Sequence, residues 1–435
     1  MTLASSGSHH MLKNGVLLVV AGLLFHAGVL LSLSKGFFNP FFDDAMHRAG
    51  QGVDFFAVYQ AGQNVVDGVS IYSTDPPRQV VPFYNPYRYH PVPALTLGVA
   101  ARSVPPFVAY GIWIIILELL LLMNIILSRR LFEDEADANR ATALWLLFSP
   151  YYLELYMGQF SFLMMTFMFW AMAAWARRQW ARGDAFWITS LVVKSNSVLF
   201  APVLLREKRW KPVLAGAVIS IALAAPYFIL VPGSYREFAR NFNELPTVQT
   251  LFGNHGYSAL VGITTLRLSG LWTDYVQEFV TRLDAMNALL GVAVTCWTIL
   301  IVGTTLFLTW KARKGQTIEL LLLWTLAYFL FYKHVWEHQY VMMIPVFVLL
   351  YWRIKSGVLR ISLNLFWILF AVIALPTVFI FVDRSPVLFD PEIHWSIWES
   401  MIVHAPKPIA TLVLYGALSF AMFNHHSMNN LSTTQ

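Results

Sequence analysis

Apolar and polar stretches alternate along almost the whole chain. Apolar runs of about 20 residues are long enough to cross the hydrocarbon of a bilayer as helices. They lie at 15–34, 107–128, 159–178, 211–231, 286–310, 362–382 and 407–424, with shorter runs at 141–153, 317–332 and 339–352. Inside a bilayer every backbone polar group needs an internal partner, which helices provide. The pattern therefore predicts an all-α polytopic integral membrane protein.

The apolar segment 185–205 is interrupted at its centre by "KSNS", residues 194–197. A continuous crossing would put this polar group at membrane depth. Broken helices are tolerated there only where they line protein or a watery cavity. The segment is therefore predicted to form two short half-helices that turn at Lys194–Ser197.

Basic residues form five clusters in short loops, and cytoplasmic loops are the ones rich in Lys and Arg. The clusters are Arg129, Arg130 and Arg140; Arg177, Arg178 and Arg182; Arg206, Lys208, Arg209 and Lys211; Lys311, Arg313 and Lys314; Arg353, Lys355 and Arg360. Placing all five in the cytoplasm gives about twelve crossings, with both termini cytoplasmic. The long loops 35–106 and 232–285 then lie outside, each with an interfacial helix.

Composition narrows the class of protein. The chain is 57% hydrophobic and only 12% charged, whereas soluble domains are about 25% charged. The net charge of +6 is accounted for by the cytoplasmic loops. We therefore expect membrane lipids as partners and no nucleic acid. The single cysteine, Cys296, excludes an intrachain disulfide.

The two ends of the chain differ from its middle. Residues 1–14 are polar and contain "GSHHM", so this stretch is assigned as a disordered N-terminus or tag scar. The tail 425–435 is assigned as a disordered cytoplasmic segment. Residues 15–424 contain no soluble insert or repeat and are predicted to form one transmembrane domain.

Asp54 is the first candidate for chemistry, because it lies among Val53, Phe55 and Phe56 in the first outside loop. A carboxylate in apolar surroundings is costly unless it is paired or has a task. Residues 54–67 have an apolar pattern typical of an interface-lying helix. Asp54 would occupy its first turn, where the helix dipole stabilises an anion. Taken alone, a helix-capping role explains it.

Other polar side chains occupy the remaining outside turns. Gln159 follows Gly158 at a predicted helix start, and an amide there is also explained by capping. Lys194 is predicted at membrane depth, where an ionisable residue is a candidate for a functional site. The alternative is that its side chain extends to the membrane interface. Arg88 and His90 lie in "FYNPYRYHPVPAL" (83–95), where an arginine could bind a phosphate bidentately.

The turn "KHVWEH" contains Lys333, His334, Glu337 and His338. The two histidines are four residues apart, which would suit a metal if a helix began early, but no third ligand is evident. Capping and headgroup contact are the alternative. No metal and no cofactor are therefore predicted.

A lone carboxylate, several cations and an aromatic-lined outer groove suit transfer of a group from a lipid phosphate to a hydroxyl. The carboxylate would accept the hydroxyl proton, and the cations would hold the phosphate. The cytoplasmic loops contain no glycine-rich nucleotide loop and no paired-acid metal motif, which disfavours a nucleotide-sugar donor.

Five stretches together resemble glycosyltransferase family 87. They are "DFFAVYQAG" (54–62), "FYNPYRYHPVPALTL" (83–97), "MGQFSFLMM" (157–165), "LVVKSNSVLFAPVLLREKRW" (191–210) and "WEHQYVMMIPVFVLL" (336–350). The resemblance implies a C-type glycosyltransferase fold and a polyprenyl-phosphate mannose donor. It also implies a multi-pass protein of the bacterial cytoplasmic membrane with its active site on the outer side, and a glycolipid or glycan acceptor.

The resemblance also implies roles for individual residues. Asp54 would be the catalytic base, and Lys194 and His338 would border the donor phosphate. Arg88 and Lys333 are further candidates for the phosphate. The candidates for other substrate contacts are Gln159, Tyr59, His334 and His90.

Two rival functions remain at the level of sequence. A transporter or flippase of a lipid-linked sugar would place binding groups near the midplane and often shows repeated halves, which are not evident here. An O-antigen-ligase-type transferase would rely on Arg and His in an outer loop, for which Arg236, Arg240 and His255 are available.

Overall fold

The computed structural model describes residues 5–39, 50–83, 85–242, 248–251, 253–273, 276–377 and 395–424, with backbone alone at 5–14, 242, 249, 276, 397 and 424. All its regular elements are helices. Extended pairing within these ranges is limited to one isolated bridge, Asn254 with Trp336. The predicted all-α class is confirmed. The tail 425–435 lies outside the described residues.

The first half of the chain forms ten α-helices within the described ranges: α1 Ser5–Ser34, α2 Val53–Val66, α3 Pro91–Ala101, α4 Pro106–Arg129, α5 Glu135–Leu146, α6 Pro150–Met157, α7 Ser161–Ala176, α8 Trp180–Val193, α9 Ala201–Arg206 and α10 Trp210–Leu230. Within α3, residues Ala94–Gly98 have π-helical geometry. A 3-10 helix, Ser195–Phe200, precedes α9.

The second half continues with α11 Ser234–Phe242, α12 Tyr257–Leu268, α13 Val276–Thr281, α14 Leu283–Lys311, α15 Thr317–Phe331, α16 Met343–Lys355, α17 Leu363–Ala374, α18 Ile397–His404 and α19 Pro406–Asn424. Short 3-10 helices lie at Val248–Leu251 and Glu337–Met342. The second of these leads directly into α16.

Most predicted apolar runs are helices at nearly the predicted bounds, such as 107–128 in α4 and 211–231 in α10. The short run 141–153 is instead divided between α5 and α6. Pro150 opens α6, because proline lacks the N–H that a helix interior requires. At the N-terminus, α1 begins at Ser5, so its backbone extends through most of the stretch assigned to a disordered terminus or tag scar. A helix nucleated by an apolar run readily propagates one residue at a time.

Five of the described helices are long and apolar enough to cross a membrane: 15–34 of α1, and α4, α10, α14 and 406–423 of α19. Shorter apolar helices, α3, α7, α15 and α17, accompany them. This is the composition of an integral membrane protein. The total of about twelve crossings stays a prediction, as does the assignment of 15–424 to one domain.

The helices divide into a buried centre and an apolar periphery. Every residue of α15 from Thr317 to Leu330 is buried, as expected for a helix that is apolar on all sides. In contrast, α10 and α14 expose large apolar side chains such as Ile229 and Phe307. Such exposed apolar surface suits contact with lipid.

The loops that carry the five basic clusters meet one another. Arg177 donates to the carbonyl of Arg130 at 3.4 Å, and Arg206 donates to the carbonyl of Ala312. Asp137 forms ion pairs with both Arg140 and Lys355, at 2.7 and 3.0 Å. Arg209 lies 3.5 Å from the carbonyl of Trp180. The basic clusters therefore share one end of the helix bundle.

Helix α2 matches the predicted 54–67 closely, but it does not lie with one face open. Twelve of its residues are buried. Its backbone touches α3 where two glycines meet: a Cβ on Gly62 would stand 2.2 Å from the carbonyl carbon of Gly98. The helix is thus enclosed by protein, and this close approach fixes its position.

Candidate active site

The start of α2 packs against the end of α6. Gly52, with φ 83°, precedes α2 and donates its N–H to the carbonyl of Tyr156 at 2.7 Å. Gly158 ends α6 with φ 67°, a conformation that favours glycine. A Cβ there would stand 2.6 Å from Cβ of Phe55. These contacts bring the first turn of α2 beside the residue that follows α6, Gln159.

The Asp54 carboxylate is held by two amide side chains. Gln159 Nε2 donates to Oδ2 at 2.7 Å, and Asn85 Nδ2 donates to Oδ1 at 3.3 Å. The Oε1 atom of Gln159 in turn accepts from the hydroxyl of Tyr89 at 3.1 Å. Asp54 is therefore in the first turn, as predicted, but its oxygens face other segments instead of capping the helix.

Burial sets the protonation of Asp54, which is only 6% exposed. Burial raises the pKa of this carboxyl above its usual range, and the hydrogen bond from Gln159 and the charges of Lys194 and Arg88 offset part of the rise. A carboxylate with a raised pKa is a better proton acceptor than an ordinary aspartate. This is the property required of a general base.

Lys194 lies at the break between α8 and the following 3-10 helix, in an extended conformation. Its Nζ donates to Ser161 Oγ at 2.7 Å and stands 5.3 Å from the centre of the Tyr89 ring. Burial lowers the pKa of the ammonium, while the carboxylates of Glu154 and Asp54 oppose that shift. The lysine therefore points into the same site as Asp54.

The chain reverses direction at this break. Trp187 Nε1 donates to the carbonyl of Ser197 at 2.8 Å, and Ser190 Oγ donates to Ser197 Oγ at 2.7 Å. A straight helix would separate residues ten apart by about 15 Å. The predicted turn at 194–197 is thus present. Helix α8 has 14 residues, so the turn lies about 21 Å from the basic end of α8.

His338 approaches from the 3-10 helix Glu337–Met342, which packs against α6 and α7. Its side chain is 2% exposed, and its Nε2 has no hydrogen-bond partner among the described residues. Burial and the positive charges of Lys194 and His334 hold the pKa of His338 well below its usual range. The imidazole is therefore neutral at pH 7 and has a ring nitrogen free for a ligand.

Two further polar groups tie this 3-10 helix to the turn at Lys194. Asn196 Nδ2 donates to the hydroxyl of Tyr328 at 2.9 Å, and that hydroxyl donates to Gln339 Oε1 at 3.2 Å. Asn196 and Gln339 are the ends of this series of hydrogen bonds, and they lie close in sequence to Lys194 and His338, respectively. Their separation is therefore fixed by hydrogen bonds and not only by packing.

The sequence model of glycosyltransferase family 87 matches residues 87–332, more than half of the chain. The chain belongs to glycosyltransferase family 87. It is therefore a glycosyltransferase, with the apolar helices of a membrane protein. Among curated proteins, none matches the chain. The matched range contains Gln159 and Lys194. Asp54 and His338 lie outside that range, and the fold brings them next to Gln159 and Lys194.

In this family 87 glycosyltransferase, four of the predicted site residues come together: Asp54, Gln159, Lys194 and His338. Arg88 is exposed, and its charge acts on Asp54. Lys333 and His334 are half-buried in the turn before His338. The roles predicted for these residues remain predictions, because geometry alone does not test them.

Two predicted residues point elsewhere. The hydroxyl of Tyr59 donates to the carbonyl of Val104 at 3.0 Å. His90 precedes α3, where its Nδ1 accepts from the N–H of Val92 at 3.3 Å and its Nε2 bonds the carbonyl of Ser220 at 2.9 Å. Both ring nitrogens of His90 are thus used within the protein. The structure does not bring these two side chains to Asp54.

The sequence analysis missed Glu154, Asn85, Tyr89 and Ser161, which surround Asp54 and Lys194. A signal was present for Glu154, because it is an acid within an apolar stretch, like Asp54. The other three are common polar residues of turns, and only their contacts single them out.

Among the described residues, no three His, Cys, Asp or Glu side chains are grouped as metal ligands would be. The expectation that transfer needs no metal stays a prediction.

The O-antigen-ligase-type alternative depends on Arg236, Arg240 and His255. Arg236 and Arg240 are exposed on α11. His255 is buried, with its Nε2 4.0 Å from Glu337 Oε2 and its ring beside that of His404. His255 therefore belongs to an internal cluster that supports the turn before His338.

Proposed function

We propose that this glycosyltransferase is an inverting enzyme that moves a sugar from a polyprenyl-phosphate donor to a hydroxyl of a glycolipid or glycan. The family resemblance suggests mannose as the sugar. A C-type fold and an active site on the outer side of the bacterial cytoplasmic membrane complete the proposal. The observation that carries it is the buried Asp54 carboxylate, hydrogen-bonded by two amides, beside the ammonium of Lys194.

In this mechanism Asp54 acts on the acceptor. The acceptor oxygen attacks C1 of the sugar, its proton passes to the Asp54 carboxylate, and the bond from C1 to the phosphate oxygen breaks. Attack from the side opposite the phosphate inverts C1. A β-linked donor therefore gives an α-linked product.

Lys194 and His338 act on the donor. Negative charge grows on the phosphate as it leaves, and an ammonium in a water-poor site stabilises that charge more than it would in water. His338 offers a ring nitrogen without a partner among the described residues. Arg88, which is exposed, and Lys333, which is half-buried, are proposed to contribute further positive charge.

The position of the site supports an outer active site. The basic clusters meet at one end of the bundle, where cytoplasmic loops are expected. Lys194 is separated from that end by the length of α8, 14 residues or about 21 Å. This is most of the hydrocarbon thickness of about 30 Å.

The test is a transfer assay on the purified protein in lipid, with radiolabelled polyprenyl-phosphate mannose and a crude lipid extract as acceptor. Asp54→Asn is expected to lower the rate by about 10²–10⁴-fold, the usual effect of losing a general base. Asp184→Asn is the matched control. Asp184 pairs with Arg209 at 2.5 Å near the basic end, so its loss is expected to leave the rate within about twofold.

Three results would count against the proposal. Equal product from wild type and Asp54→Asn would remove Asp54 as the base. Product with a nucleotide sugar but not with the lipid donor would remove the donor class. Movement of labelled donor across vesicles without any product would favour a flippase.

A further inference from the structure

A second carboxylate, Glu154, lies in the floor of the site. Its side chain is fully buried on α6, and Oε2 accepts from the N–H of Phe162 at 2.8 Å. Ser161 lies beside this carboxylate, and its hydroxyl lowers the pKa of Glu154. Its other oxygen, Oε1, has no hydrogen-bond partner in the described part of the chain. The mechanism above gives Glu154 no role.

Glu154 and Asp54 share one cation. Lys194 Nζ donates to Ser161 Oγ at 2.7 Å. Because an ammonium can only donate, Ser161 accepts from Lys194 and keeps its own hydrogen available for the neighbouring carboxylate of Glu154. The charges of both carboxylates act on Lys194. Before donor binds, and at alkaline pH where Glu154 is ionised, Lys194 thus balances the charges of Glu154 and Asp54.

Arrival of a donor phosphate changes this balance. A phosphodiester adds one negative charge beside Lys194, while His338 is neutral and Arg88 is exposed. Three anions would then surround one buried ammonium. Like charges that share a buried site do not all stay ionised, because one group takes a proton instead.

The contacts distinguish the two carboxyls. Asp54 has an amide donor on each oxygen, which favours its charged form. Glu154 has an oxygen without a donor in the described ranges, and it is fully buried. Burial raises the pKa of Glu154 to about 8, so proton uptake by this group on donor binding is expected at alkaline pH. Asp54 must also be ionised to accept the hydroxyl proton, so Glu154 is the group free to be neutral.

We propose that binding of the donor phosphate is coupled to uptake of one proton from solvent by Glu154, which releases Lys194 to the phosphate. Glu154 is then a positioning residue, because it acts through Lys194 and does not touch the reacting atoms. The inference rests on the proposed function, since it requires a phosphate-bearing donor.

Other titratable groups surround Glu154 and have to be separated from it in a test. They are Asp54 on α2, Tyr89 in the loop before α3, Tyr151 on α6 itself, Lys194 at the break and His338 on the 3-10 helix. Proton uptake makes donor binding weaker as pH rises, by up to about tenfold per pH unit above the pKa of the proton acceptor. Titration of His338 lies at acid pH, since burial lowers its pKa.

The experiment is calorimetric titration of the full-length protein with a short-chain prenyl phosphomannose, without acceptor, from about pH 6 to about pH 9. Two buffers of different ionisation enthalpy report the number of protons taken up. Wild type is expected to approach about one proton per donor bound at the alkaline end. Glu154→Gln is expected to take up almost none and to bind with an affinity that varies little with pH.

Glu319→Gln is the matched control, because Glu319 is also a buried glutamate but pairs with Arg353 far from the site. It is expected to behave as wild type. Wild type that binds donor without proton uptake would overturn the inference, whatever Glu154→Gln does, and would leave the proposed function intact. Uptake that persists in Glu154→Gln, or is lost only in Asp54→Asn, would assign the proton to another group. Absence of donor binding together with absence of transfer would overturn the proposed function itself.

Discussion

Asp54 is held at the meeting point of three segments of the chain, and its contacts define its chemistry. Its partners Asn85 and Gln159 lie 31 and 105 residues away along the chain. The sequence indicates that Asp54 is unusual, because an acid among aromatic residues is costly. It does not indicate which amides stabilise it. That information exists only in the packing of α2 on α6.

The hydrogen bond from Gln159 is expected to control the pH dependence of transfer. Because the base acts as an anion and burial raises the pKa of Asp54, the rate should rise with pH through that pKa. Gln159→Leu removes a bond that lowers this pKa. The acid limb of the kcat profile should then move to higher pH, and kcat below that limb should fall.

Gln63→Leu is the control for this profile. Gln63 Nε2 donates to Asp67 Oδ1 at 2.7 Å, so the variant also removes an amide-to-aspartate bond from the same helix, away from the site. Its acid limb should match that of wild type. A limb that is unmoved in Gln159→Leu would show that the amide does not tune Asp54.

His90 and Tyr59 show where reasoning from residue type failed to locate a site residue. Both lie in the motifs that resemble the family, yet the hydroxyl of Tyr59 and Nε2 of His90 bond backbone carbonyls of Val104 and Ser220. His90 instead caps the start of α3, where its Nδ1 accepts from the N–H of Val92. The direction of a side chain depends on the element that carries it, which the sequence leaves open.

Among the elements, α2 and α3 approach each other closely at the backbone. Gly62 and Gly98 meet without side chains between them, and a Cβ on Gly98 would stand 2.5 Å from the carbonyl oxygen of Val58. The π-helical turn Ala94–Gly98 forms this contact surface. Such turns often occur near functional sites. The contact sets the depth of α2, and with it the position of Asp54.

Gly62→Ala is expected to displace α2 and lower both stability and transfer. The added Cβ meets backbone, which cannot move aside as a flexible side chain would. The loss of unfolding free energy should reach the upper end of the about 1–3 kcal/mol that overpacking usually costs. Thermal unfolding in detergent and the transfer assay measure the two effects.

Gly291→Ala is the matched control for the helix substitution. Gly291 lies within α14, and a Cβ there would meet nothing within 4 Å. Replacing a helical glycine by alanine usually stabilises a helix by about 0.5–1 kcal/mol. A loss in Gly291→Ala as large as that in Gly62→Ala would mean that an added methyl group destabilises these helices in general, and that the contact with α3 does not explain the result.

Across the whole molecule, a buried ion pair joins the last helix to the turn that carries His338. Lys407 of α19 lies 3.2 Å from Glu337 Oε1 and also donates to the carbonyl of Ile373 at 2.5 Å. Glu337 accepts from the N–H and the hydroxyl of Thr377, at 2.9 and 2.5 Å. The C-terminal part of the described chain thus supports the turn that carries His338.

Lys407→Met is expected to leave Glu337 buried and without its cation, at a cost of about 3–5 kcal/mol. Adding Glu337→Gln should recover part of that loss, because the uncompensated charge is then gone. Unfolding of the two single variants and the double variant measures the coupling. Strictly additive losses would show that the pair does not act as a unit.

The sequence by itself determined what depends on local pattern. Apolar runs fixed most helices, the polar interruption fixed the break at Lys194, and basic clusters marked loops that share one end of the bundle. These features follow from backbone hydrogen bonding in an apolar solvent and from side-chain type. The resemblance to the family followed from short motifs that occur in a set order along the chain.

Tertiary structure alone decided which polar groups meet. It gathered Asp54, Gln159, Lys194 and His338, turned His90 and Tyr59 away, and placed Glu154 behind Lys194. Hydrophobic periodicity specifies the buried face of an element but not the partner that covers it. The contacts of a buried carboxylate depend on that partner, so its charge and role become definite only in the folded chain.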